Sequence, residues 1–154
     1  VEMVRHDCED RITIHTDWNS VPPVPSCGRQ IEQVFLNLLV NAVHAVEQGN
    51  IWVSTATHDD QVVARVRDDG KGMTPESLER VFERGYTTKP HGVGSGLGLF
   101  ICQAIVERCG GHIKVTSAVG MGTEVELQLP CWSDPQRQGV GARQRRSAVV
   151  SEAH

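Results

Sequence analysis

Two asparagines, Asn37 and Asn41, interrupt the apolar run FLNLLVNAV, and Gln33 lies four residues ahead of the first. On a helix that spacing aligns the three amides as a polar stripe beside an apolar one. Asparagine is a poor helix former, and a solvated face would ordinarily carry Lys, Glu or Arg. Amides this close to a core read as ligands. An uncharged oxygen donor suits Mg²⁺, which takes few protein ligands and keeps water and phosphate for the rest.

A second cluster is RDDGKGM at 67–73. Asp-Asp-Gly alone would be an ordinary turn. A carboxylate at a strand end followed by Gly-x-Gly supplies more: an acceptor for an exocyclic amine such as that of adenine, and a backbone able to approach a flat ring. The third cluster is GYTTKPHGVGSGLGL at 85–99, with glycine at five positions (85, 92, 94, 96 and 98). Glycine loses more backbone freedom on folding than any other residue. Such a stretch is either a linker that never orders or a loop whose backbone must approach something. Ahead of a helix, it points N–H groups at a polyphosphate. It is neither a P-loop, since GxxxxGK[ST] is absent, nor a Rossmann fingerprint. Thr87, Thr88 and Lys89 stand where they could reach phosphates.

The elements that position these residues follow from periodicity. RITIHTDW alternates as a half-buried strand does. VPPVPSCG is a connector that cannot be helical, with Ser26 available as a cap. From Gln30 to near Gly49, apolar residues recur at steps of three and four, predicting a long amphipathic helix. NIWVSTAT and QVVARVRD, separated by HDDQ, read as a hairpin. TPESLERVFERG is a short capped helix, residues 95–109 a longer one, and HIKVTSAVGMGTEVELQLP a closing hairpin. Residues 1–10 are a polar lead-in, 11–130 the domain, and 131–154 a tail or linker without period. The order predicts an α/β sandwich, a mixed and mostly antiparallel sheet covered on one face by about three helices.

Composition narrows the class. The chain has 154 residues, 39% hydrophobic and 22% charged, with net charge −4. That suits one globular domain and argues against a nucleic-acid binder, which needs a basic face. No apolar run reaches membrane-span length, and the charged N-terminus does not read as a signal peptide. Five cysteines without a CxxC pair argue against a disulfide framework or zinc site and for a reducing compartment. Cys102 and Cys109 share a helix face and read as small buried hydrophobes.

QVFLNLLVNAVHA, DDGKGM, VFERGYTTK and GSGLGL, in this order, resemble the ATP-binding catalytic domain of sensor histidine kinases. That domain belongs to the superfamily shared with DNA gyrase, Hsp90 and MutL, and the resemblance runs from about Arg11 to Pro130. It implies the Bergerat-type sandwich, ATP and Mg²⁺ as ligands, and a flexible ATP lid. Asn41 would ligate Mg²⁺, with Asn37 beside it over the phosphates; together with Lys89 these are the residues assigned to the reaction. Asp68 would accept the adenine amine in a pocket shaped by Gly70 and Gly72, with Thr123 helping through water. Phe82 and Tyr86 occupy an aromatic box, and Thr87, Thr88 and Lys89 lead into the lid. Gly94, Gly96, Leu97 and Gly98 would form its phosphate-facing end, and Leu97, Ile101, Ala104 and Ile105 would anchor the helix behind.

Where hydrolytic relatives carry a glutamate one turn before the asparagine, this chain has Asn37. An amide is no general base, so a kinase is implied over an efficient ATPase. The implied partners are a histidine phosphoacceptor and dimerisation domain and a response-regulator receiver domain, with a cytoplasmic location and no direct membrane contact. His6-Asp7 begins like a phosphoacceptor motif but continues into a strand without the proline. Arg84-Gly85 departs from the Pro-Phe of the aromatic box. The alternatives are a nucleotide-gated interaction module without phosphotransfer and a slow ATPase.

Overall fold

The computed structural model describes residues 11–24, 28–88 and 96–131. Alternating and helical periods resolve into β1 (Ile12–Trp18), α1 (Gly28–Ala45), β2 (Gly49–His58), β3 (Gln61–Asp68), α2 (Pro75–Glu79), α3 (Gly98–Arg108), β4 (His112–Ser117) and β5 (Thr123–Pro130). The strands form one sheet in the order β1-β2-β3-β5-β4. β1 runs parallel to β2, and the other pairs are antiparallel.

One sheet face is apolar because inward positions alternate along the strands. In β5, Thr123, Val125, Leu127 and Leu129 are buried while Glu124, Glu126 and Gln128 are less so. α1 covers this face with Val34, Leu38 and Ala42, spaced by four. Among the described residues, the largest fully buried side chains are Ile51, Leu127, Leu129, Val34, Val106 and Cys102. Each large aliphatic one contributes about 1.5–3 kcal/mol of burial free energy. The opposite face is solvated. There His15 stacks on Trp52 with ring centroids 5.5 Å apart, the Arg67 guanidinium sits 5.3 Å from the Trp52 ring centroid, and Arg65 pairs with Glu126 across β3 and β5, Nε to Oε2 being 2.7 Å.

Three expectations change. The long helix ends at Ala45 rather than near Gly49. Gly49 instead opens β2, its N–H donating to the Arg11 carbonyl at 3.0 Å. In α3 the buried residues are Cys102 and Val106, with Cys109 just beyond, whereas Ile101 and Ala104 are exposed. The helix is turned about one residue from the expected phase, because Phe100 and Ile101 extend its apolar run past the face that meets the core. Cys109 is buried but disulfide-bonded, while Cys102 and Cys131 are free thiols. Cysteine spacing along the chain does not report the Cα separations in space that decide pairing. The case for a reducing compartment loses that support.

Residues 1–10, Ser26, Cys27, Lys89, Gly92, Gly94 and the tail beyond Cys131 lie outside the described residues. Among the described residues, no helix is long and apolar enough to cross a membrane.

Candidate functional site

The helix-covered face carries a cavity of about 290 Å³ between α1 and the segments that flank α2 and open α3. That is near the lower end for small-molecule sites. A smaller lobe of about 50 Å³ shares Asn41, Met73, Leu99 and Thr123 with it and reaches Asp68. One end is built for a base. β3 delivers Asp68, buried to 4% exposure, whose Oδ1 accepts the Gly70 N–H at 2.9 Å. Burial pushes its carboxyl above the ordinary value, more than the Gly70 and Thr123 backbone N–H groups pull it down. Thr123, the other buried polar residue among those described, pairs with Asp68 across β3 and β5.

Next to this end, backbone packs directly against backbone. Gly72 has φ +65°, where a side chain is strained, and a Cβ there would collide with the Ala118 carbonyl. Gly70 lies against the Ala45 carbonyl and Asp68 Oδ1.

The other end is amide and glycine. Asn37 and Asn41 line the cavity from successive turns of α1. Gln33 Nε2 donates to Asn37 Oδ1 at 3.2 Å, and the Cys102 thiol of α3 donates to the Val34 carbonyl of α1 at 3.9 Å. A Cβ on Gly98, the first residue of α3, would lie 3.6 Å from Asn41 Nδ2. Gly96 has φ +65° and sits so close to Gly85 that a Cβ would overlap its backbone. The Gly85 N–H donates to the Gly96 carbonyl at 3.0 Å, which clamps the two ends of the glycine-rich stretch together. Close approach of backbone to backbone is thus one reason for glycine at these positions.

Tyr86, Thr87 and Thr88 line the mouth. The Tyr86 hydroxyl donates to Ser77 Oγ at 2.9 Å, and Arg80 lies 4.4 Å from its ring centroid. α2 is held for this by Thr74, whose Oγ1 accepts the Ser77 N–H at 3.2 Å. Phe82 packs against the core rather than lining the cavity, and Leu97 precedes α3 as its N-cap. Lining residues that sequence reasoning passed over include His44, Lys71, Met73 and Leu99. The signals were there for two of them. His44 follows Asn41 by three, so it shares that helix face, and Lys71 lies inside DDGKGM.

Asn41 is an oxygen donor at the glycine end. Among the described residues no three His, Cys, Asp or Glu side chains converge as a metal site. An amide oxygen is a hard donor of the kind Mg²⁺ takes from protein, with phosphate and water supplying the rest.

Residues 28–133 match the family described as histidine kinase-, DNA gyrase B-, and HSP90-like ATPase, and the chain belongs to it. The relatives bear out the resemblance to sensor histidine kinases. The sensor histidine kinase ZraS of Salmonella typhi is 44% identical over 103 residues, which cover 66% of this chain and 22% of ZraS. The chain thus spans about a fifth of that curated relative's length. The solved structure of the mycobacterial sensor histidine kinase MprB matches with a TM-score of 0.72 at 29% identity, covering 84% of this chain and 87% of that one. The full-length ShkA structure, in complex with AMPPNP, matches with a TM-score of 0.75 at 28% identity over 86% of this chain and 28% of that one.

Proposed function

We propose that this domain presents Mg·ATP so that the γ-phosphoryl passes to a histidine on a separate phosphoacceptor and dimerisation domain, and onward to a response-regulator aspartate. The observation that carries the reading is the continuity of the cavity. Asp68 and Thr123 stand at one end, and Asn37, Asn41, Gly96 and Gly98 at the other, with shared walls between. A base acceptor at one end and a glycine-lined helix start at the other follow each other as base and phosphates do in a nucleotide. The AMPPNP bound by the similar ShkA supports a nucleotide here as well.

In this reading Asp68 accepts the adenine amine, with Gly70 and Gly72 shaping the pocket around it. Asn41 holds the cation, and Asn37 and the Gly96–Gly98 backbone orient phosphate oxygens. Tyr86, Thr87 and Thr88 flank the mouth, and Lys89 and Gly94 continue the lid. When bound, Mg²⁺ neutralises phosphate charge and aligns the terminal phosphoryl for in-line transfer. The protein's own contribution is positioning and charge stabilisation. Asn37 cannot accept a proton from water, which forgoes a general-base contribution of roughly 10²–10⁴-fold. Hydrolysis is slow, and the nucleophile is an imidazole from elsewhere. Phe100 and Ile101, exposed to 37% and 38% in the first turn of α3, offer apolar surface beside the phosphate end, where that acceptor approaches. The reaction takes place in the cytoplasm, where ATP and receiver domains meet.

Mixing the purified domain with the parent's phosphoacceptor domain and γ-labelled ATP tests the reading. Acid-labile, base-stable label on the acceptor histidine is the expected result. Nucleotide binding without any transfer would replace the kinase with a nucleotide-gated module, and phosphate release without labelling would make it an ATPase.

A further inference from the structure

Ser117, Thr123 and Asp68 stand in one row across β4, β5 and β3, because Thr123 pairs with Ser117 on one side and Asp68 on the other. The protons in that row are fixed by counting. A serine hydroxyl has one O–H to donate. Ser117 Oγ lies 2.8 Å from the Gly122 carbonyl, which can only accept, so its proton is committed there. Thr123 Oγ1 lies 2.9 Å from Ser117 Oγ, and that contact takes its proton from Thr123. The Thr123 hydroxyl therefore spends its one donor behind the cavity wall and turns lone pairs to the cavity it lines. The Asp68 carboxylate in the adjoining lobe accepts as well. Ser117 itself is not among the lining residues.

We propose that Ser117 is a positioning residue for base selectivity. By taking the Thr123 proton it turns the base end of the cavity into a surface of acceptors, which selects a purine whose edge donates through an exocyclic amine. A purine with a carbonyl at that place, as in guanine or hypoxanthine, meets lone pairs with lone pairs and keeps an unsatisfied acceptor. Without the Ser117 hydroxyl, Thr123 is free to rotate and donate to such a carbonyl. The inference rests on the nucleotide reading of the cavity.

The test compares ATP with ITP, which carries a carbonyl in place of the amine, by calorimetric titration of wild type, Ser117→Ala and Ser117→Thr. Wild type prefers ATP. Ser117→Ala narrows that preference roughly threefold to tenfold, the size of one hydrogen bond, mainly through tighter ITP binding, and Ser117→Thr restores it. A loss of packing would weaken both nucleotides alike, so an unchanged ratio overturns the proposal whatever happens to the absolute affinities. Should Ser117→Ala not fold, Thr123→Val decides. It keeps the volume without lone pairs and must narrow the same ratio; an unchanged ratio there also overturns the proposal. A folded wild type that binds neither nucleotide overturns the nucleotide reading itself, a result distinct from binding with an unchanged ratio.

Discussion

Asp68 and Asp69 are consecutive residues whose carboxylates are held in opposite surroundings. Asp68 is buried at the base end of the cavity. Asp69 is exposed on the far side of the chain, where it accepts the Asn50 backbone N–H at 2.7 Å and the Asn50 Nδ2 at 2.9 Å. Burial raises the first carboxyl, and the Asn50 hydrogen bonds lower the second. One aspartate is available to a ligand because its neighbour ties the end of β3 to the start of β2.

Asp68→Asn is expected to abolish nucleotide binding without destabilising the domain. The folded protein holds the Asp68 proton more tightly than the unfolded chain, so its contribution to stability is greatest below 3.8 and is lost as pH rises through the raised folded value. The amide removes the buried charge yet still accepts the Gly70 N–H. Its melting temperature near neutral pH should equal or exceed that of wild type, and the advantage should vanish below pH 3.8. Calorimetric melts across that range check it, and a clear loss of stability at neutral pH would contradict it.

Asp69→Ala should do the reverse. Its lowered carboxyl contributes stability above the ordinary value of 3.8 that is lost as pH falls through the folded value. Because the group is exposed, the contribution is screened and amounts to about 1 kcal/mol. The gap between wild type and variant should close in acid. A gap independent of pH would show that packing of Gly49, not the charge, holds this corner.

The free cysteines should differ in reactivity. Burial pushes the Cys102 thiol up to about 11, so at neutral pH it carries almost no thiolate, the reactive form. Cys131 is partly exposed, its thiol donating to the Asp60 carbonyl at 2.8 Å. Alkylation followed by mass spectrometry should label Cys131 in the native protein and Cys102 only after unfolding. Early labelling of Cys102 would mean that α3 separates from α1 in the native state.

The β2–β3 turn places both Asp59 and Asp60 at positive φ, +47° and +62°. Two-residue turns of this kind favour glycine at the second place. Asp60→Gly should stabilise by about 0.5–1 kcal/mol and leave nucleotide affinity unchanged, both read from melts and titrations. A lower melting temperature would contradict the turn assignment.

The strands and the long helix were legible because burial imposes a period on sequence, as in TEVELQLP and at Val34, Leu38 and Ala42. The phase of α3 was not, since LFICQAIV is apolar on more than one side, and only packing against α1 selects Cys102 and Val106 over Ile101. Within the candidate site, Asn37 and Asn41 stood out as amides out of place beside a helical core face, and Asp68 only through the Gly-x-Gly that follows it. Ser117 carried no such signal. Its role depends on the register that sets residues 68, 123 and 117 side by side on three strands, with β3 far from the other two in sequence. His44 and Lys71 were passed over, and they line the cavity together with Asn41 and Gly72.

The most direct test is calorimetric titration of the folded domain with ATP and ADP, with and without Mg²⁺, alongside Asp68→Asn. Saturable binding to wild type is expected, with a gain from Mg²⁺ that is larger for ATP than for ADP and no binding to the variant. Binding that survives Asp68→Asn, or a folded wild type that takes up neither nucleotide, would contradict the assignment of the base to Asp68 and of the phosphates to Asn41.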